Sequence, residues 1–174
     1  MRPTKSELRR QLRQTRLSMS DGERVLKSRE IVKKLADVTD WSAVKALNYF
    51  EPIHGLLEVD IRDFITGLED KYLDLKMSTP RLIGGTWELV TVRGNPAPDS
   101  FDIIIVPMLG FDPESLHRIG YGGGYYDKFL ATQTQTQKIG VCFESGNVDQ
   151  IPAEAYDIQM DRIVTESTIY NLRA

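Results

Sequence analysis

The chain has little of the side-chain chemistry that many enzymes use: one cysteine, Cys142, and two histidines, His54 and His117, in 174 residues. A single thiol excludes an intramolecular disulfide, and one cysteine with two histidines falls short of a four-ligand structural zinc site. With Ile139, Val141 and Phe143 around it, Cys142 is expected to be a buried strand thiol. No apolar run reaches the roughly 20 residues of a membrane helix, and the start, Met1-Arg2-Pro3-Thr4-Lys5-Ser6-Glu7, lacks the apolar centre of a secretion signal. A cytoplasmic protein is expected, with no membrane partner. Linker-like and low-complexity tracts are also absent, and 41% hydrophobic residues are enough for one substantial core, so residues 1–174 read as a single domain.

Charge is small in sum, −3, but unevenly spread: residues 1–40 hold 11 Lys/Arg against 6 Asp/Glu, and residues 41–174 hold 11 against 19. A basic start on an acidic body fits a nucleic-acid contact, a source of cations for an anionic small molecule, or a solvated helix face. Nucleic acid is disfavoured, because the acidic remainder repels phosphates and neither a zinc finger nor an RNA-binding aromatic motif is present.

Thr4-Lys5-Ser6-Glu7 and Ser20-Asp21-Gly22-Glu23 read as capping boxes. They predict a helix to about Ser18 with Leu8, Leu12 and Leu17 as a thin stripe, and a second carrying Val25, Ile31, Val32 and Leu35, the two forming an antiparallel pair. Strands are predicted at Val44–Phe50, Leu73–Met77, Trp87–Val92, Ile103–Val106, Lys138–Phe143 and Arg162–Thr165. Asp60 is expected to cap a helix after the break at Glu51-Pro52-Ile53-His54-Gly55, and Tyr125–Ala131 to form another. Gly84-Gly85 and Arg93-Gly94-Asn95-Pro96 are turn signals. Ile103-Ile104-Ile105-Val106 is continuous and β-branched, as in a central strand covered on both faces. Alternating strands and helices predict an α/β fold with a mostly parallel open sheet flanked by helices, Rossmann-like in three layers, and a ligand crevice beyond the strands' carboxyl ends.

The chemistry concentrates in Arg118-Ile119-Gly120-Tyr121-Gly122-Gly123-Gly124-Tyr125-Tyr126-Asp127, where four of thirteen glycines fall within five residues. A chain without Cβ atoms can turn successive N–H groups toward a phosphate, and a helix start adds to the effect. It is neither a Walker A loop nor a Rossmann fingerprint, since the spacing fits neither. Arg118 offers a fork of donors for phosphoryl oxygens, and Asp127 a carboxylate for magnesium.

Together with Asp102-Ile103-Ile104-Ile105-Val106-Pro107-Met108-Leu109-Gly110-Phe111-Asp112, this run resembles the signature of the 5-formyltetrahydrofolate cyclo-ligase family, also called methenyltetrahydrofolate synthetases. Lys5, Leu8, Arg9 and Arg16, then Glu58-Val59-Asp60, Pro80-Arg81 and the stretch from Pro152 to Glu166 extend the resemblance over nearly the whole chain. The resemblance implies conversion of 5-formyltetrahydrofolate to 5,10-methenyltetrahydrofolate, with ATP consumed to ADP and phosphate in the presence of Mg2+. It implies that Lys5 and Arg9 reach ATP, and that Arg118, Gly120, Gly122, Gly123, Gly124, Tyr125 and Tyr126 hold its phosphates. Arg118 and Lys5 would be catalytic, and Asp127 and Asp157 would serve the metal. Glu58 would bind the pterin, with Phe50 or Ile53 and Tyr121 or Tyr125 lining the folate pocket. A monomer is expected. The chain departs from the family in a longer stretch between Tyr49 and Glu58, in Tyr156 where histidine is common, and in Gly123 where some members have lysine. The stretch between Pro80 and Asp102 is short and lacks a Gly-Ile-x-Glu-Pro-like segment. That shortening motivates the alternative, a folate- or nucleotide-binding protein of the same fold without turnover.

Overall fold

Four consecutive β-branched residues have no polar face to turn to water, so both of their faces need cover. In the computed structural model, which describes residues 3–53, 55–94 and 96–172, Ile103 and Ile105 enter one core while Ile104 and Val106 enter another. His54 and Asn95, which the sequence puts in turns, lie outside the described residues.

In chain order the elements are α1 (Lys5–Leu17), α2 (Asp21–Asp37), β1 (Ala46–Asn48), α3 (Arg62–Lys71), β2 (Lys76–Ile83), β3 (Thr86–Thr91), β4 (Ile103–Pro107), β5 (Gly110–Phe111), β6 (Arg118–Ile119), α4 (Tyr125–Ala131), β7 (Gln137–Val141), β8 (Arg162–Val164) and β9 (Ile169–Asn171). Seven strands form one sheet in the order β3-β2-β1-β4-β7-β8-β9, and β5 pairs with β6 in a small ribbon apart from it. The inner five strands are parallel, and β3 and β9 close the edges antiparallel. Helices α2 and α3 cover one face; α4 and the β5–β6 turn cover the other. This is the expected α/β architecture. From β1 the chain crosses to β2 on one side and returns to β4 on the other. Strand order therefore reverses between β1 and β4, and a crevice opens beyond their carboxyl ends.

Both capping boxes form, with Glu7 N donating to Thr4 Oγ1 at 3.2 Å and Glu23 N to Ser20 Oγ at 3.2 Å. The two helices do not share a core. Leu8 and Leu12 join Leu109, Ile119 and Ile151, whereas Ile31 and Leu35 join the main core. Leu17 and Val25 are exposed rather than on the buried stripes. A stripe of two leucines is too narrow for helix-on-helix burial, and α1 lies over the β6 ribbon instead. Asp60 falls one residue short of the cap position: α3 is preceded by Ile61 with no side-chain cap, and the Asp60 carboxylate accepts from Arg62 N and Nε. Pro80 sits inside β2, past Ser78 where β1 has ended, so its missing N–H interrupts no bond to that neighbour. Cys142 is fully buried, as expected, but lies just past the end of β7 rather than in the strand, and burial pushes its thiol pKa up to about 12.

Helix α1 comes close because Gly110 has no side chain. A Cβ there would meet Gly146 O at 2.6 Å and Leu12 Cδ1 at 2.6 Å. Overpacking of this kind costs about 1–3 kcal/mol. Gly110→Ala is expected to lower the unfolding free energy by that amount, read as a lower urea midpoint at unchanged slope; an unaltered midpoint would contradict the close approach.

Candidate active site

The glycine loop is aimed by the turn before it. The Asp112 carboxylate accepts from Glu114 N (2.9 Å), Ser115 N (3.2 Å) and Ser115 Oγ (2.7 Å), which tightens the connection between β5 and β6. Leu116 then adopts a left-handed φ of 52° while fully buried. That conformation costs about 1–2 kcal/mol, and burying a leucine contributes about 1.5–3 kcal/mol, so the turn holds. The chain runs through β6 into Gly120–Gly124, where Gly122 and Gly124 take φ values of 98° and 67°. No side chain caps α4 after Gly124, which leaves loop amides for an outside acceptor.

Helix α1 lies against this loop and supplies guanidinium groups from one face. Arg9 Nε donates to Gly120 O at 3.1 Å, Arg13 Nη2 to Tyr121 O at 3.3 Å, and Arg16 Nη1 to the Tyr121 hydroxyl at 2.8 Å. Arg16 is buried; its Nη2 donates to Met108 O, and its guanidinium lies 5.8 Å from the Phe143 ring centre. Among the described residues, none of the three forms an ion pair. Their positive charge is solvated by carbonyls and a hydroxyl and is left uncompensated, which is the electrostatic condition for binding an anion.

The other two cations are paired. Lys5 Nζ reaches Asp157 at 2.5 Å and Glu154 at 2.8 Å. Burial opposes charge on both Lys5 and Asp157, yet their mutual hydrogen bond and their bonds to Glu154 prevail, raising the Lys5 pKa and lowering that of Asp157. Arg118, whose side chain is only 6% exposed, donates to Asp127 at 2.6 Å and to Ile158 O at 2.7 Å. It is a buried pin between the loop and the 152–161 segment as well as part of the cavity wall. Asp127 and Asp157 therefore each hold a cation already, and no group of three His, Cys, Asp or Glu among the described residues is placed to bind a metal. This donor set does not make a protein cage; it fits magnesium that arrives on phosphate oxygens and takes only one or two carboxylates.

Beyond β1 the chain bends back through Gly55 (φ 87°) and Leu57 (φ 47°) to Glu58, which is 3% exposed and accepts from Ile53 N at 2.6 Å. Phe50 is buried in the wall, and Ile53 stands exposed at the rim. Burial raises the Tyr121 hydroxyl pKa, and nearby Glu58 adds to the rise. The Tyr126 hydroxyl is buried with no hydrogen-bond partner among the described residues, and its pKa too is pushed well up by burial. A buried polar atom without a partner marks a position that a ligand or water would satisfy.

Lys5 and Arg9, Phe50, Ile53 and Glu58, Arg118 and Gly120, every residue from Tyr121 to Asp127, and Asp157 all line one cavity of about 1260 Å3. That exceeds the roughly 300–1,000 Å3 of a single small-molecule site and leaves room for two ligands. Sequence reasoning missed Arg13, Trp87 and Glu154, which line it as well. Arg13 had a signal, since Arg9, Arg13 and Arg16 recur at helical spacing. Glu154 and Trp87 had none, because tertiary structure brings them in.

The sequence profile of the 5-formyltetrahydrofolate cyclo-ligase family matches residues 71–166. A 5-formyltetrahydrofolate cyclo-ligase of Mycoplasma pneumoniae is 30% identical over 167 residues, covering 93% of this chain and 98% of that protein. Among solved structures, a 5,10-methenyltetrahydrofolate synthetase from Mycoplasma pneumoniae superposes with a TM-score of 0.80 at 29% identity, covering 93% of this chain and 98% of the other. The 5,10-methenyltetrahydrofolate synthetase of Aquifex aeolicus gives 0.80 at 27% identity, over 98% and 93% of the two chains. With its α/β sheet, its arginine-backed glycine loop and these matches along most of its length, the chain belongs to the 5-formyltetrahydrofolate cyclo-ligase family.

Proposed function

We propose that this enzyme converts 5-formyltetrahydrofolate and ATP to 5,10-methenyltetrahydrofolate, ADP and phosphate, with magnesium on the nucleotide. The observation that carries this reading is the set of unpaired guanidinium groups of Arg9, Arg13 and Arg16 against the glycine loop. They share one cavity with the buried carboxylate of Glu58. The triphosphate meets the cations and loop amides, and Glu58 accepts from the N–H groups of the pterin.

In this reading the formyl oxygen attacks the γ-phosphorus as the bond to the β-phosphate oxygen breaks and ADP departs. The adjacent folate nitrogen then closes on the formyl carbon, loses its proton, and expels phosphate. No protein nucleophile is required, which accords with a fully buried Cys142. The chain supplies position and charge. Arg9 stands beside the loop, Arg118 holds the loop against Ile158 O, and Lys5 brings a cation from the start of α1. Magnesium would offset charge on the phosphates, and Asp127 and Asp157 are the carboxylates that would hold it. The acidic surface beyond residue 40 and the small-molecule cavity make nucleic acid an unneeded partner. A cytoplasmic setting belongs to this reading; no helix among the described residues is long and apolar enough to cross a membrane.

The direct test follows methenyltetrahydrofolate by absorbance and ADP in parallel. Equal, folate-dependent formation of both is expected, and ADP without methenyl product would overturn the reading. Glu58→Gln is expected to raise the KM for 5-formyltetrahydrofolate roughly ten- to a hundredfold, since a charged hydrogen bond is worth about 1.5–3 kcal/mol, while leaving the ATP KM near wild type. Equal effects on both substrates would mean that Glu58 does not face the pterin. The Lys5–Asp157 pair also gives stability a pH dependence. The Asp157 pKa is lowered from 3.8, so its contribution is present above that value and lost as pH falls through the folded-state pKa. The Lys5 pKa is raised from 10.5, so its contribution is present below that value and lost as pH rises through the folded-state pKa. Asp157→Asn should therefore melt below wild type at neutral pH, with the gap closing in acid; a gap that persists there would assign the loss to something other than this ion pair.

A further inference from the structure

The two tryptophans sit in opposite environments: Trp41 is 5% exposed and Trp87 is 44% exposed. Trp87 lies on the β2–β3 hairpin, which runs beyond the sheet because β1 pairs with β2 only as far as Ser78. On this projecting ribbon Trp87 is directly opposite Leu82, itself 59% exposed. At its base, Arg81 is tied to Glu51 at 2.7 Å. Two large apolar side chains on a free ribbon are costly unless something covers them. Both line the cavity that holds Arg9, Arg13 and the glycine loop.

The indole is also oriented. Its ring centre is 4.9 Å from that of Tyr125 at 36° between planes, and Tyr125 stacks on Phe129 at 5.6 Å and 21°. Trp87 is thus the last member of an aromatic column that starts on α4 and ends at the cavity. One wall of the cavity has unpaired cations, and another has an aromatic face that is partly open. A ligand with an anionic part and a flat aromatic part satisfies both.

We propose that Trp87 is a specificity-determining residue that stacks on an aromatic ring of the bound ligand from the β2–β3 ribbon. This inference rests on the reading of the cavity as a nucleotide and folate site. Both ligands carry such a ring, adenine in one and the pterin or aryl ring in the other.

Acrylamide quenching of the wild-type protein reads Trp87 almost alone, because Trp41 is buried. ATP alone and 5-formyltetrahydrofolate alone are the two arms. One of them is expected to shield the emission, and the shielding should vanish in Trp87→Leu, whose remaining Trp41 emission reports an intact core. For the shielding ligand, Trp87→Ala is expected to raise KM about tenfold with kcat within about twofold, and Trp87→Phe to recover most of the loss. Normal turnover with no shielding in either arm and unchanged KM values in Trp87→Ala would overturn the inference and leave the reaction standing. Shielding without methenyl product would sustain the stacking and sink the reaction; neither shielding nor turnover would sink both.

Discussion

Everything in the site depends on α1 being held against the glycine loop by arginines that have no carboxylate to answer them among the described residues. The helix buries only Leu8 and Leu12 beside Arg16, too little apolar surface to fix its position. Its register comes from Arg9, Arg13 and Arg16 on the carbonyls and hydroxyl of Gly120, Tyr121 and Met108, and from Lys5 in the clamp of Asp157 and Glu154. A buried guanidinium without an anion is tolerated only when its donors are satisfied, and Arg16 meets that condition through neutral acceptors. The arrangement leaves the charge in place while spending the hydrogen bonds on architecture. Of the eleven cations in the basic start of the sequence, Lys5, Arg9, Arg13 and Arg16 gather at the cavity, while Arg10, Arg29 and Lys33 stay on a solvated face.

The features legible in the sequence were those whose causes are local. The β-branched run of β4 required two covered faces, and it received them. Thr4 with Glu7 and Ser20 with Glu23 formed reciprocal caps three residues apart. The clustered glycines became a loop because two of them take left-handed φ values that side chains disfavour. Candidate site residues from four separate segments, on α1, after β1, from β6 into α4 and before β8, line one cavity.

What was illegible was set by distance or by brevity. The paired strands β5 and β6 have two residues each, below any periodicity a sequence can display, and β9 has three. Asp60 had the composition of a helix cap, but the helix began one position later than that role requires. Leu17 and Val25 matched helical spacing, yet the helices turned other faces inward, since spacing defines a stripe without saying what lies opposite. Arg118 and Asp127 read as independent ligand groups, whereas in the fold each is the other's partner. Trp87 offered no motif at all; its position follows from a hairpin that outruns its neighbouring strand.

The docking of α1 also orders the making of the protein in time. Arg9 and Gly120 are 111 residues apart, and Lys5 and Asp157 are 152 apart. Helix α1 is thus made before the segments that receive it, and its arginines lack their acceptors until the chain after β4 and β7 has been made. The contacts that seat α1 are therefore of high sequence separation, the kind whose loop-closure entropy must be met before they stabilise anything.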